Sequence, residues 1–152
     1  VEFAPNQLFR DGKRLAFASN RTGNGDVYVL TLDTGQLKRL TFDDSDEKLD
    51  AWSRDGKLII FNQRCATKFC LPYLMRVSAT DRTAEQGSSL QIKALPVEDV
   101  NYSPDGFWLV FEGEEAGENK DILYMTVTGA SRTRVTTDKG LDFDPVWRPV
   151  GN

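Results

Sequence analysis

Acidic side chains are the chemistry this chain holds in abundance, and histidine is the chemistry it lacks. Its 152 residues carry 23 Asp and Glu against 19 Lys and Arg, with two Cys and no His. Without histidine there is no Ser-His-Asp or Cys-His nucleophile, no histidine general base and none of the usual zinc ligand sets. Two carboxylates alone can drive hydrolysis, but no specific pair is arranged for it here. The sequence therefore predicts a protein that is not an enzyme and uses no cofactor or metal. The acidic stretch from Asp43 to Asp50 (DDSDEKLD) offers oxygens of the kind calcium takes, yet it lacks the glycine and spacing of an EF-hand loop.

The cysteines, Cys65 and Cys70, bracket the four residues ATKF. A loop of that length can set its flanking residues opposite each other, about 4.5 to 5.5 Å apart at Cα, which a disulfide spans. A Cys65–Cys70 disulfide is expected over free thiols. Closing so short a loop adds modest stability, and the bond points to an oxidising compartment, periplasmic or extracellular.

Net charge is -4 and the isoelectric point is near 4.9, the reverse of a nucleic-acid-binding footprint. No apolar run approaches the roughly 20 residues of a membrane-crossing helix, so membrane insertion is not expected. No signal peptide is visible, which suggests a mature or excised chain. The length suits one domain.

The elements that must position these residues repeat. "FRDGKRLAF" from Phe9, "WSRDGKLIIF" from Trp52 and "YSPDGFWLVF" from Tyr102 share an aromatic, an Asp-Gly turn and an apolar run. The turn glycines are Gly12, Gly56 and Gly106, with a degenerate fourth at Gly151, giving intervals of 44, 50 and 45 residues. Four-stranded propeller blades recur every 40 to 50 residues or so. An offset of 95 lays Asp26, Thr31, Arg39, Thr41 and Asp43 onto identical residues at Asp121, Thr126, Arg134, Thr136 and Asp138. In the longer middle repeat, one extra residue is placed before Leu71 and five between Val77 and Leu90.

Each repeat reads as four strands. Strand a ends in the aromatic (Ala51-Trp52, Asn101-Tyr102, Val146-Trp147). Strand b covers 15–19, 58–62 and 109–112; strand c covers 27–32, 72–77 and 122–127; strand d covers 37–41, 90–94 and 133–136. Strands b and c are apolar without clean alternation, as expected of sheets packed on both faces. The fold class is all-β: a β-propeller segment of three four-stranded antiparallel blades, roughly 9–52, 52–102 and 102–147, with no helix.

The pattern WSxDGK…FxS…R…DxYVxxL…RLT…DPxW resembles the TolB-like family of WD-like propeller repeats. Departures are Arg54 where the family favours proline, Tyr102 for tryptophan and the altered turn at 149–151. The resemblance implies a six-bladed ring of which this is half, an extracytoplasmic binding platform and no catalytic residue. It equally allows an accessory propeller of a peptidase or hydrolase, or a structural surface or filament subunit.

On this plan the d–a and b–c loops share one face. The d–a segments 42–51, 96–101 and 137–146 carry -4, -2 and -2, and a summed field of one sign steers partners of the other. Asp43, Asp44, Asp46, Glu47, Asp99, Asp142 and Asp144 are therefore the candidate partner-binding residues, for a basic protein or peptide. Trp52, Tyr102 and Trp147 are expected between blades, and Phe17, Phe61 and Phe111 in the core. Two faces are expected to lack a neighbour: Leu15, Phe17, Val27 and Val29 in the first blade, and Leu109, Phe111, Ile122 and Tyr124 in the third. Closed propellers have four or more blades, so a second copy (a homodimer) or further blades should cover those faces.

Overall fold

The computed structural model describes residues 7–42, 44–64, 73–79, 90–94, 97–114 and 119–148. Twelve strands are present among them, and no helix. The first sheet is β1 (Gln7–Leu8), β2 (Arg14–Ser19), β3 (Asp26–Thr31) and β4 (Gln36–Arg39). The second is β5 (Asp46–Trp52), β6 (Leu58–Arg64), β7 (Tyr73–Ser78) and β8 (Leu90–Ala94). The third is β9 (Val97–Tyr102), β10 (Trp108–Glu114), β11 (Lys120–Thr126) and β12 (Thr133–Arg134). Each sheet pairs its strands in chain order and every pairing is antiparallel, so the sheets are three successive propeller blades.

The Asp-Gly turns explain why the strands reverse where they do. Gly12, Gly56 and Gly106 take φ of 68°, 67° and 81°, a region that costs any residue with a Cβ about 1 to 2 kcal/mol. In the second and third turns the serine hydroxyl accepts from the strand behind it, Leu58 N to Ser53 Oγ at 2.9 Å and Trp108 N to Ser103 Oγ at 3.0 Å. Each aspartate then caps the backbone two residues on, Lys57 N at 3.0 Å and Phe107 N at 3.0 Å.

Two apolar layers join the sheets. Ala16, Val27 and Val29 of the first sheet pack on Leu49, Ile59, Phe61 and Val77 of the second. Ile60 of the second packs with Val100, Leu109, Phe111 and Leu123 of the third. Successive residues on β6 thus serve opposite neighbours, and every one of Ile59, Ile60 and Phe61 is fully buried. Burial of this kind contributes roughly 25 cal/mol per Å² of apolar area.

This parity corrects the expected open faces. Val27 and Val29 face the second sheet, and Leu109 and Phe111 do likewise from the other side. The first sheet's outer face belongs instead to Leu15 and Phe17 with their cross-strand partners Leu30 and Tyr28. Phe17 is therefore only half-buried; it stacks on Tyr28 at 5.9 Å and lies under the Arg21 guanidinium, whereas Phe61 and Phe111 are core. The third sheet's outer face is Trp108, Val110, Ile122 and Tyr124, which open on an apolar hollow of about 910 Å³. Adjacent strand residues point to opposite faces, so an error of one position moves a side chain across the sheet. The middle repeat shows a related shift. Ile60 pairs with Arg76 where Ala16 pairs with Val29, so its third strand runs two residues later than the sequence alignment places it.

Three of the residues repeated at the offset of 95, Asp26, Arg39 and Thr41 with their counterparts, form a buckle. Asp26 lies fully buried and pairs with Arg39 Nη2 at 2.8 Å, while Arg39 Nε donates to Thr41 O. Thr41 Oγ1 then accepts from Val27 N at 2.8 Å. The third sheet repeats every bond: Asp121 with Arg134 at 2.6 Å, Arg134 Nε to Thr136 O, and Ile122 N to Thr136 Oγ1. The buckle ties the third strand to the chain leaving the fourth, where ladder pairing has ended.

Candidate functional site

The face formed by the d–a and b–c connections gathers most of the expected acidic residues, in two groups. In the first group Asp44 and Asp46 are exposed. Asp46 Oδ1 accepts from Gly25 N at 2.6 Å, and Asn24 Nδ2 donates to Ser45 O at 2.6 Å, so this loop is held to the first sheet. Glu47 differs from expectation. It is 5% exposed and its Oε2 accepts from Thr41 Oγ1 at 2.9 Å, so it serves the interior next to the buckle. Asp43, Cys65 and Cys70 lie outside the described residues.

The second group lies where the second and third sheets meet. Asp99 and Asp144 both stand three residues before a repeat aromatic, and both adopt left-handed backbone, with φ of 49° and 54°. Aspartate tolerates that region better than most residues. Asp144 N donates to Glu112 Oε1 at 2.8 Å, and one carboxylate oxygen from each of Asp99, Glu112 and Asp144 lies within 4.8 Å of the others. Asp142 is half-buried nearby, its backbone bonded to Lys120 O.

Two lysines offset this negative charge. Lys48 Nζ approaches Asp99 at 3.5 Å; Lys120 Nζ bonds Glu98 at 2.6 Å and reaches Glu112 at 3.6 Å. Between them is a cleft of about 260 Å³ lined by Lys48, Asn62, Glu98, Glu112 and Lys120. Hydrogen bonding from Lys120 holds Glu98 below the usual carboxylate range, and Glu98 in turn raises Lys120. Burial pushes Glu112 up, aided by the charge of Asp99. Oxygens of Asp99, Glu112 and Asp144 are close enough to share a cation, but the lysines already supply positive charge to two of the three.

Beneath this cleft lies Asp50, 5% exposed in the bulge of β5. Asn62 Nδ2 donates to its Oδ2 at 2.7 Å. Burial pushes its pKa up to about 8, against a smaller opposing pull from Lys48 and with Asp99 adding to the rise. Sequence reading did not single out Glu112 or Asp50. The available signal was Asn62 and Glu112, polar residues at matching places, six after the turn glycine, in otherwise apolar strands.

Trp52 and Tyr102 sit at sheet junctions, while Trp147 lines the hollow on the third sheet's outer face. The Trp52 ring meets Phe9 tilted at 44°, with centroids 5.1 Å apart, and packs on the first layer, and Tyr102 packs on the second. Trp147 Nε1 donates to Asn101 O at 3.3 Å, and Asn101 Nδ2 to Pro145 O at 3.3 Å, so residues 144–147 run beside β9.

No protein-family model matches the chain. It is 28% identical over 145 residues to a "Protein TolB homolog" of Chlorobium luteolum, covering 92% of this chain and 30% of that protein. In fold it is similar to TolB from Acinetobacter baumannii, with a TM-score of 0.67 at 22% identity over 86% of this chain and 31% of the other. The β-propeller domain of the Trilobed protease from Pyrococcus furiosus gives 0.60 at 14% identity, over 88% and 42%. The chain thus spans about a third of the length of its TolB relative. By fold it is a run of β-propeller blades, and in sequence it is similar to TolB homologues.

Proposed function

We propose that this chain is a non-enzymatic binding segment of a TolB-like propeller, acting outside the cytoplasm and taking a basic protein or peptide on its d–a face. The observation that carries the reading is the state of Asp44 and Asp144. Both are exposed, and among the described residues neither side chain is engaged in a hydrogen bond or ion pair. Their charge is available to a partner, whereas Glu47 and Asp50 are committed to the interior. Asp46, Asp99 and Asp142 add field from the same side.

The probe is a fluorescent arginine-rich nonapeptide, with anisotropy measured at low and physiological salt. Reversing both charges, Asp44→Lys with Asp144→Lys, should weaken binding about tenfold and flatten its salt dependence, as removal of rim charges does. Unchanged affinity and salt slope would rule this face out. The extracytoplasmic placement rests on the TolB resemblance and on a Cys65–Cys70 disulfide, which an intact mass two hydrogens below the reduced form would verify. The outer face around Trp108 and Tyr124 is assigned to a further blade or a second copy.

A further inference from the structure

The opposite face, built from the a–b turns, carries a feature of the other sign. A cleft of about 260 Å³ opens there between the three sheets, with Phe9, Trp52 and Tyr102 in its walls. Arg10 and Arg54 also line it, each two residues before a turn glycine; the third turn holds Pro104 at that place. Both arginines are exposed. Arg10 makes no hydrogen bond, ion pair or ring contact among the described residues. Arg54 gives Nη1 to the Pro104 carbonyl and keeps its other donors.

Among the described residues no carboxylate lines this cleft. The turn aspartates are each spent on their own turn. Asp11 accepts from Lys13 N at 2.8 Å and Arg14 Nε at 3.1 Å, Asp55 from Ser53 Oγ at 2.7 Å, and Asp105 from Ser103 Oγ at 2.5 Å. Arg54 adds a weak attraction at Asp105, the smallest of the causes that hold that carboxyl down.

We infer that this cleft binds a carboxylate carried on an apolar or aromatic body. A guanidinium presents planar paired donors that match a carboxylate, and two of them face one opening here. Phe9, Trp52 and Tyr102 supply apolar walls for the rest of the ligand. The volume suits a group of amino-acid size and falls below that of pockets for larger ligands. A free aromatic acid and an acidic residue of a peptide offer the same chemistry to it.

Calorimetric titration of the intact chain with 3-phenylpropionate, with its neutral amide and with acetyl-Phe-Glu-amide tests the site. The acid should bind with a dissociation constant on the order of 1 mM, as expected of a fragment-sized ligand, and the neutral amide should not. Arg10→Gln with Arg54→Pro, the second installing the residue found in the third turn, should weaken the acid at least about tenfold. Binding of the dipeptide as tight as that of the free acid would assign a peptide source, and binding of the free acid alone a small-molecule source. Should the double variant fail to fold, Arg10→Gln alone carries the test, since among the described residues that side chain makes no hydrogen bond or ion pair. Equal binding of acid and amide, no binding of either acid, or wild-type affinity in the variants would overturn the site.

Discussion

The buried Asp50 carboxyl should make the fold's stability fall as pH rises. Its carboxyl is 5% exposed, and burial raises its pKa from an ordinary 3.8 to about 8. Between those values the folded chain keeps a proton that the unfolded chain has released. Unfolding free energy then declines with pH, at a limiting slope of roughly 1.4 kcal/mol per pH unit. Across the whole window the ceiling is about 6 kcal/mol, comparable with the total stability of a domain. Glu112, also raised, contributes a slope of the same sign. Glu98 is lowered by Lys120, so its contribution is present above the ordinary carboxylate range and is lost on acidification.

The perturbation is Asp50→Asn, which keeps the shape and can still meet Asn62 through its amide oxygen. Urea unfolding followed by tryptophan fluorescence, at intervals from about pH 5 to about pH 8, gives the slope. The wild type should lose at least about 2 kcal/mol across that range, and the variant should lose clearly less. At about pH 8 the variant should be the more stable, by about 2 to 3 kcal/mol. A flat wild-type profile, or an equal slope in both proteins, would refute the assignment of the slope to this carboxyl.

Two further predictions concern the frame. Gly56→Ala places a Cβ against the Phe9 ring and the Arg14 guanidinium, whereas Gly12→Ala, at nearly the same φ, meets nothing. Thermal melts should show the first costing about 1 to 3 kcal/mol more than the second, the range of an overpacked contact; equal losses would mean that the turn-to-sheet contact contributes nothing. In the buckles, Asp26→Asn and Asp121→Asn each leave an arginine without its carboxylate, at a cost of about 3 kcal/mol. A double-mutant cycle with Arg39→Ala or Arg134→Ala should return a coupling above about 1 kcal/mol in both sheets; additive losses would remove the buckle as a unit.

The fold was legible because its signals are local. Asp-Gly turns recur where the backbone demands positive φ, and the aligned Asp26, Arg39 and Thr41 share one set of bonds with Asp121, Arg134 and Thr136. The faces were less legible, for a physical reason. A strand such as Leu58-Ile59-Ile60-Phe61 is apolar on both sides, so it carries no alternation from which to tell which neighbour each residue meets. That is why Val27 and Leu109 were assigned to the wrong side. The acidic site was half legible. Asp44, Asp46, Asp99, Asp142 and Asp144 share the predicted face, but charge counting does not separate an exposed carboxylate from Glu47, which the interior consumes. Asp50 sits in a bulge, and no periodicity marks a bulge from sequence.

The alternation along the second strand of each sheet also has a consequence for symmetry. Every blade presents one kind of surface to the blade before it and another to the blade after it. Phe61 and Phe111 look back, while Ala16 and Ile60 look forward. The joint is therefore heterologous, with unlike surfaces meeting, and it has no two-fold axis of its own. Whatever covers the Trp108 and Tyr124 face by the same joint must offer a backward-looking surface, and so leaves its own forward-looking one to be met in turn. Such a series ends only when the rotation per blade returns it to the Leu15 and Phe17 face; a rotation that misses that closure continues as a helical fibre. The angle between neighbouring sheets, more than the strength of any single contact, is what separates a closed ring from an open polymer here.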